Sequence, residues 1–236
     1  MRKTAARPRP GKRCEAQKSP TDNGQLSADC PPHRKNLRRR QQTLTYHFYA
    51  YLSRMKLIQR WGLMRNLIPE NDMEHAMQAA MIAHALAVIG NTRYGRDYNA
   101  EHVMALALFH DISEVITGDL PTPVKHNNPK IKAEYHKIER IAIQRLKQML
   151  PRDLQPAYEP LINPEQDSPD WRLVKAADRI CGYIKCLEET KAGNNEFLEA
   201  RDSILATLHA IDLPEVQDFI RQFVPGFGMS LDQISR

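Results

Sequence analysis

The chain has no apolar run near the roughly 20 residues a helix needs to cross a bilayer. Its basic N-terminus has no apolar segment behind it, so it does not read as a secretory signal, and no membrane contact is expected. The four cysteines, Cys14, Cys30, Cys181 and Cys186, form no CxxC pair, which removes the usual structural zinc patterns. Cys181 and Cys186 lie five apart in a helical pattern and suit reduced packing thiols, consistent with a cytoplasmic location. No stretch alternates apolar and polar residues as a half-buried strand does, and no internal repeat occurs. What is present is ordinary for a soluble globular protein: 236 residues, 42% hydrophobic and 26% charged. That length is enough for one well-buried domain.

The net charge of +6 is unevenly spread. Residues 1–45 hold 12 of the 34 Lys and Arg against three acids, Glu15, Asp22 and Asp29, so this segment is +9 and the remainder −3. Residues 1–43 also carry five prolines and two glycines without apolar periodicity. Such a composition buries too little surface to offset the entropy of ordering, so 1–43 is expected to be a disordered basic extension. The run RKNLRRR can touch nucleic acid or an acidic surface. It lacks the interleaved aromatics that would stack single strands, and a solvated tail, or a start codon placed too early, explains it as well.

Residues 44–236 read as one all-α domain. Phe48, Tyr51, Leu52, Met55 and Ile58 follow the i, i+3, i+4, i+7 rule from residue 45. A second helix opens at the Asn71–Glu74 capping box, runs through His75, Ala79, Ile82 and Leu86, and is expected to stop at Gly90-Asn91. Asn99 caps a third, with Val103, Leu106, Ala107 and His110 on one face. A fourth carries Ile131, Tyr135, Ile138, Ala142, Leu146 and Met149 up to Pro151. Another holds Val174, Ala177, Cys181 and Ile184, with later helices near 195–210 and 214–223.

Within FHDISEVITGDLPTPVK, a histidine beside an aspartate follows an apolar helix, with Glu114 and Asp119 beyond. Burying a carboxylate is costly unless something pairs with it, and a metal ion is one such partner. His75, His110, Asp111 and Asp178 each fall on or beside a predicted apolar stripe, so three packed helices would bring two imidazoles and two carboxylates together. That donor set suits Zn, Mn, Co, Fe or Ni and leaves positions for water and substrate. Singly, each residue reads equally as a satisfied core histidine or a surface ion pair, for Asp178 with Lys175 or Arg179. Glu114, four beyond His110 and three beyond Asp111, is expected on their helix face, where it can orient or deprotonate a water. Alone it reads as an exposed glutamate. Arg60 offers a donor fork for phosphate or sugar oxygen, and Trp61 a flat wall or simply core packing. Gly118 and the prolines of TGDLPTP stiffen a turn in which Asp119 and Thr122 can bond sugar hydroxyl and phosphate.

The order H, then HD, then D in an all-helical chain resembles the HD-domain metal-dependent phosphohydrolases. The blocks RWGLMRN, EHAMQAAMIAHALA, FHDISEVITGDLPTPVK, VKAADRICGYIKCLEE, AGNNEF and FVPGFGMSLDQIS together are similar to the bacterial YfbR-type 5'-deoxynucleotidases, over about residues 45–236. The resemblance implies a single HD-domain helical bundle in a cytoplasmic homodimer. It also implies hydrolysis of deoxyribonucleoside 5'-monophosphates by a metal-activated water, with cobalt a favoured activator and Co, Mn or Zn the expected ions. Carried over by position, it puts the metal on His75, His110, Asp111 and Asp178, and catalysis on Glu114, Asp111 and Arg60. Substrate contacts fall to Arg60 and Trp61, which select deoxyribose, to Asp119, Leu120, Pro121 and Thr122, and to His75, Asp111 and Asp178. Two other readings stand beside it. One is a different HD-type nucleotide phosphohydrolase acting on dNTPs or alarmones, disfavoured because no GYP follows the HD and no long insert is present. The other is a non-enzymatic dimeric module with a nucleic-acid-binding tail.

Overall fold

The structure, a computed structural model, describes residues 45–121 and 128–236. The expectations for the basic extension and for Thr122 lie outside the described residues. Every regular element among those described is helical, and the one strand-like feature is an isolated antiparallel bridge between Gln59 and Asn71. No helix is long and apolar enough to cross a membrane among the described residues.

The main helices in chain order are α1 (Phe48–Leu52), α2 (Asp72–Tyr94), α3 (Ala100–Phe109), α4 (Glu114–Thr117), α5 (Pro129–Gln148) and α6 (Gln155–Ile162). They continue with α7 (Pro169–Lys191), α8 (Leu198–His209) and α9 (Pro214–Gln222), and close on the short turns α10 (Val224–Phe227) and α11 (Leu231–Ile234). The starts follow from capping chemistry. The Asn71 side chain accepts from the Met73 and Glu74 amides at 3.1 Å while Glu74 accepts from the Asn71 amide. Asn99, Asn128 and Ser168 cap α3, α5 and α7, and the last two are each followed by a proline at the first helical position.

Helix α2 is the central element. Its buried face is rich in alanine (Ala79, Ala80, Ala83, Ala87), which lets α3, α7 and α9 approach it closely. A larger core cluster joins α2, α3, α7, α8 and α9, and a smaller one links Phe48, Met55, Ala76, Ile112, Leu146, Leu150 and Ile162. Ala76 and Ile112 follow His75 and Asp111 directly in sequence, so the candidate ligands lie where the two clusters meet.

Three local expectations are corrected. The helix expected from residue 45 through Ile58 is broken into α1 and a 3₁₀ turn, Met55–Leu57, with Ile58 extended. Chain reversal into the next loop overrides the apolar period there. Helix α2 does not stop at Gly90-Asn91 but runs on to Gly95, which takes the left-handed conformation (φ +62°). Gly90 serves packing instead: a β-carbon there would lie 2.8 Å from the Tyr98 ring. On α5, Ile131 and Ile138 are exposed, and Tyr135, Ala142 and Leu146 form its buried stripe.

The loop between Ile58 and Asp72 carries Arg60 and Trp61 and is fastened at both ends. At its base the Arg60 amide donates to the Glu70 carbonyl at 3.0 Å and the Asp72 amide to that of Ile58 at 3.1 Å. At its tip the fully buried Glu189 of α7 accepts from the Leu67 amide at 3.0 Å and the Ile68 amide at 2.9 Å. Lys185 donates to Glu189 and to the Ile68 carbonyl, and Asn194 donates to Glu189 at 2.8 Å and to the Arg65 carbonyl at 2.6 Å. Burial opposes ionisation of Glu189, but the bonds from Lys185, Asn194 and the loop amides hold its pKa down to about 2.

Two stability predictions follow from these contacts. Gly90→Ala should lower stability by about 1–3 kcal/mol in urea denaturation despite its better helix propensity. Tyr98 cannot swing aside freely, because its hydroxyl donates to Glu215 at 2.9 Å and its backbone exchanges two 2.8 Å bonds with Asn91. Glu189→Ala should cost about 3–5 kcal/mol by stranding the buried Lys185. Because the Glu189 pKa is depressed, its contribution is full above the ordinary glutamate range and lost as pH falls toward 2. The wild-type and Glu189→Ala stabilities should therefore converge in acid.

Candidate metal centre

Four side chains from three helical segments converge. His75 lies in the first turn of α2, His110 and Asp111 follow the end of α3 in the turn before α4, and Asp178 sits midway along α7. One donor atom from each lies within 4.8 Å of all the others. Nε2 of His75 is 3.2 Å from Asp178 Oδ1 and 3.6 Å from Asp111 Oδ2. Nε2 of His110 is 2.9 Å from Asp111 Oδ2 and 3.7 Å from Asp178 Oδ1. The sequence reading had Asp111 and Glu114 on one continuous helix. The structure instead ends α3 at Phe109 and passes through a turn before α4. That turn still keeps the pair close, with the Glu114 amide donating to the Asp111 carbonyl at 2.9 Å.

The second atom of each ligand is anchored. His110 Nδ1 is 2.7 Å from the Ala107 carbonyl, which can only accept, so Nδ1 carries a proton and Nε2 is the atom that faces the cluster. Asp178 uses Oδ2 to accept from Lys175 at 3.1 Å, leaving Oδ1 for the imidazoles. The surface pairing foreseen for Asp178 and its place in the cluster are thus both realised, on different oxygens.

The donors fit a divalent cation. Nε2 of both histidines is buried and has no hydrogen-bond partner, although carboxylate oxygens stand close by. Buried polar atoms are rarely left so, and atoms that converge without bonding each other are those a cation would satisfy. Without a cation, the charge must be balanced by protons. Burial disfavours the His110 imidazolium, but Asp111 and Asp178 overcome it and push the pKa up to about 10. Burial likewise opposes ionisation of Asp111 and Asp178. The His110 charge nevertheless holds Asp111 well below the usual carboxylate range, and Lys175 with the histidines does so for Asp178.

A second layer surrounds this cluster. Arg60 reaches in with Nη1 3.4 Å from Asp111 Oδ2 and 3.8 Å from Asp72 Oδ1. Burial works against its charge, and Asp111, Asp178, Glu70 and Glu114 more than restore it. Trp61 packs its ring 5.4 Å from Phe197, as core packing would have it, and its Nε1 donates to Glu70 at 3.0 Å. Glu114 is buried at 7% exposure, which removes the exposed-glutamate reading. Burial first, then the charges of Asp111, Asp72 and Asp119, push its pKa up to about 10, so without a cation it holds a proton. A dication in the cluster would oppose those charges and draw the carboxyl back toward a base. Asp119 is near enough to act on Asp72 and Glu114. Leu120 and Pro121 follow it, half-buried. Tyr135 of α5 reaches the start of this segment, donating to Thr117 Oγ1 at 3.3 Å and the Gly118 carbonyl at 3.4 Å.

Sequence reasoning missed Glu70 and Asp72. Asp72 is fully buried, neither of its oxygens has a hydrogen-bond partner, and burial raises its pKa to about 7 against the pull of Arg60. Both residues flank Asn71, the cap of α2, where acids are expected for the helix dipole alone, so no local signal set them apart.

The chain matches the family model described as 5'-deoxynucleotidase YfbR-like over residues 47–227. It is 52% identical over 190 residues to a 5'-deoxynucleotidase of Yersinia pestis (strain Pestoides F), covering 80% of this chain and 96% of that protein. The same figures hold for a 5'-deoxynucleotidase of Yersinia pseudotuberculosis serotype O:1b. Among solved structures it resembles an HD-domain phosphohydrolase from Listeria innocua, with TM-score 0.69 and 22% identity over 77% of this chain and 88% of the other. It also resembles a cyanophage S-2L HD phosphohydrolase bound to dA and one catalytic Zn2+ ion, with TM-score 0.53 and 22% identity over 78% and 98%. At that identity, these two carry the fold alone.

The geometry predicts that a divalent cation stabilises the folded state through these donors. A cation at 100 times its Kd contributes about 2.7 kcal/mol, so Mn2+ should raise Tm relative to EDTA. Asp111→Ala should keep its helical circular dichroism and lose that shift. An equal Mn2+-dependent shift in both proteins would exclude Asp111 as a ligand.

Proposed function

The chain belongs to the YfbR-like family of 5'-deoxynucleotidases, and from that premise we propose that it hydrolyses deoxyribonucleoside 5'-monophosphates through the centre formed by His75, His110, Asp111 and Asp178. The observation that carries this reading is the convergence of four donors, two of them buried Nε2 atoms without hydrogen-bond partners. A divalent cation held by these four residues supplies Lewis acidity toward a phosphoryl oxygen and lowers the pKa of a water. Two imidazoles and two carboxylates with no thiolate favour Co, Mn or Zn.

The protein's own groups do the rest. Water adds to phosphorus, the P–O5' bond breaks, and deoxynucleoside and phosphate are the products. Arg60, buried and held charged among carboxylates, donates to the phosphoryl oxygens as their charge develops. Glu114, next to Asp111, takes a proton from the attacking water or returns one to the leaving O5'. Trp61 forms the flat wall for the sugar. Asp119, Leu120 and Pro121 close the nucleotide's other side.

A homodimer is part of the same proposal. Met73, Met77, Met81 and Val88 form an exposed apolar stripe along α2, and Met104 and Leu108 of α3 are exposed as well. A second copy of this chain is the partner that would bury it. Cys181 and Cys186 are buried and unbridged, in keeping with a cytoplasmic protein.

Phosphate release from paired deoxy- and ribonucleoside 5'-monophosphates, first with EDTA and then with Co, Mn, Mg or Zn, tests the reading. Wild type should cleave dAMP far faster than AMP, and only with a cation. A ribose 2'-hydroxyl against Arg60 and Trp61 leaves a polar group displaced or unpaired. The cost is about 1–3 kcal/mol, roughly one to two decades in rate. Arg60→Ala should lower both rates and narrow their ratio. Equal slowing of both would confine Arg60 to the phosphate.

A further inference from the structure

Glu70 stands where three parts of the site meet. It lies opposite Arg60 beside the Gln59–Asn71 bridge, so its backbone is tied to the base of the loop. Its side chain then reaches three groups. Oε2 accepts from Trp61 Nε1 at 3.0 Å and lies 3.5 Å from Arg60 Nε, while Oε1 is 3.9 Å from His75 Nδ1. One carboxylate therefore contacts both residues of the proposed sugar wall and the back of a proposed metal ligand.

Both wall residues depend on such a partner. Trp61 has φ +58°, the one positive value outside glycine among the described residues. An L residue keeps that conformation only where its surroundings fix it. The indole has a single polar handle, its N–H, and Glu70 accepts it. Without that acceptor, the ring would be held by Phe197 and by the Gly182 side of α7 alone. For His75, an imidazole that binds a cation through Nε2 keeps its proton on Nδ1, the atom nearest Glu70. A carboxylate behind a ligating histidine fixes the ring and raises its basicity.

We infer that Glu70 is a positioning residue for sugar discrimination, one that sets Trp61 and Arg60 and joins them to the metal site through His75. This rests on the reaction proposed above, and it adds a consequence: metal affinity and deoxyribose preference share one residue that touches neither metal nor nucleotide.

The test uses the full-length protein labelled with 5-fluorotryptophan. The chain holds two tryptophans, and the fluorine resonance lost in Trp61→Phe belongs to Trp61. Glu70→Ala should shift that resonance and leave the Trp171 resonance in place. It should also lower the dAMP-to-AMP ratio of kcat/KM by about tenfold and weaken Mn2+ binding, read by titration, by about 10–100-fold. Glu70→Gln keeps an acceptor for the indole but loses the charge facing His75 and Arg60. It should hold the Trp61 resonance and most of the discrimination while sharing the loss in Mn2+ affinity. An unmoved Trp61 resonance in Glu70→Ala, or an unchanged nucleotide ratio beside a wild type that discriminates, overturns the inference. A wild type that cleaves dAMP and AMP alike overturns the sugar-wall reading instead, and the fluorine and Mn2+ measurements still decide the link from Trp61 through Glu70 to His75.

Discussion

Negative charge buried at the meeting of α2, α3 and α7 is the constraint on which the rest of the structure depends. Asp111 and Asp178 meet two imidazoles whose inward nitrogens have no hydrogen-bond partner, and Asp72 and Glu114 lie near Asp111. Carboxylates this close and this dry cannot all stay ionised unless cations join them. Arg60 and Lys175 supply fixed positive charge at the edges, and His110 and Glu114 meet the remainder by holding protons. A divalent cation would displace that arrangement, so the protonation states of the site would follow from whether the centre is filled.

The bundle is arranged to hold this charge in place. The alanine face of α2 draws α3 and α7 close enough for side chains as short as aspartate to meet across the gap. The loop carrying Arg60 and Trp61 makes few apolar contacts of its own, since Leu63, Leu67 and Ile68 are exposed. It is held instead by polar bonds, at its tip by Glu189 and Lys185 and at its base by Glu70. Because α7 carries both Asp178 and Glu189, one rigid helix sets the position of a candidate ligand and of the loop that faces it.

Much of this was legible in the sequence, for identifiable reasons. The helices announce themselves through side-chain caps such as Asn71 and Asn99, which act within four residues. The candidate ligands were legible because imidazole and carboxylate on apolar stripes are costly unless used. What escaped depends on contacts across the chain. Gly90 reads as a stop until Tyr98 is seen against it. The stripe of α5 reads as wholly buried until the structure leaves Ile131 and Ile138 in water. Glu70 and Asp72 look like ordinary acids at a helix start until the loop folds back to bring Arg60 and Trp61 to them.

The same contrast separates the two kinds of buried carboxylate in this protein. Glu189 is as deeply buried as Asp72, but every bond it makes ends on this chain: two amides, an ammonium and a side-chain amide hold it ionised. It is a fastening, complete without any ligand. Asp72 has an arginine 3.8 Å away and, beyond the carboxyl of Glu114, no partner, and its pKa near 7 marks a charge only half compensated. Asp178 lies between them, with one oxygen on Lys175 and the other facing two unpartnered nitrogens. Burial alone would class Glu189 with Asp72. Whether the donors and acceptors around each carboxylate are already satisfied distinguishes a group that holds the fold from one that awaits a cation or a substrate.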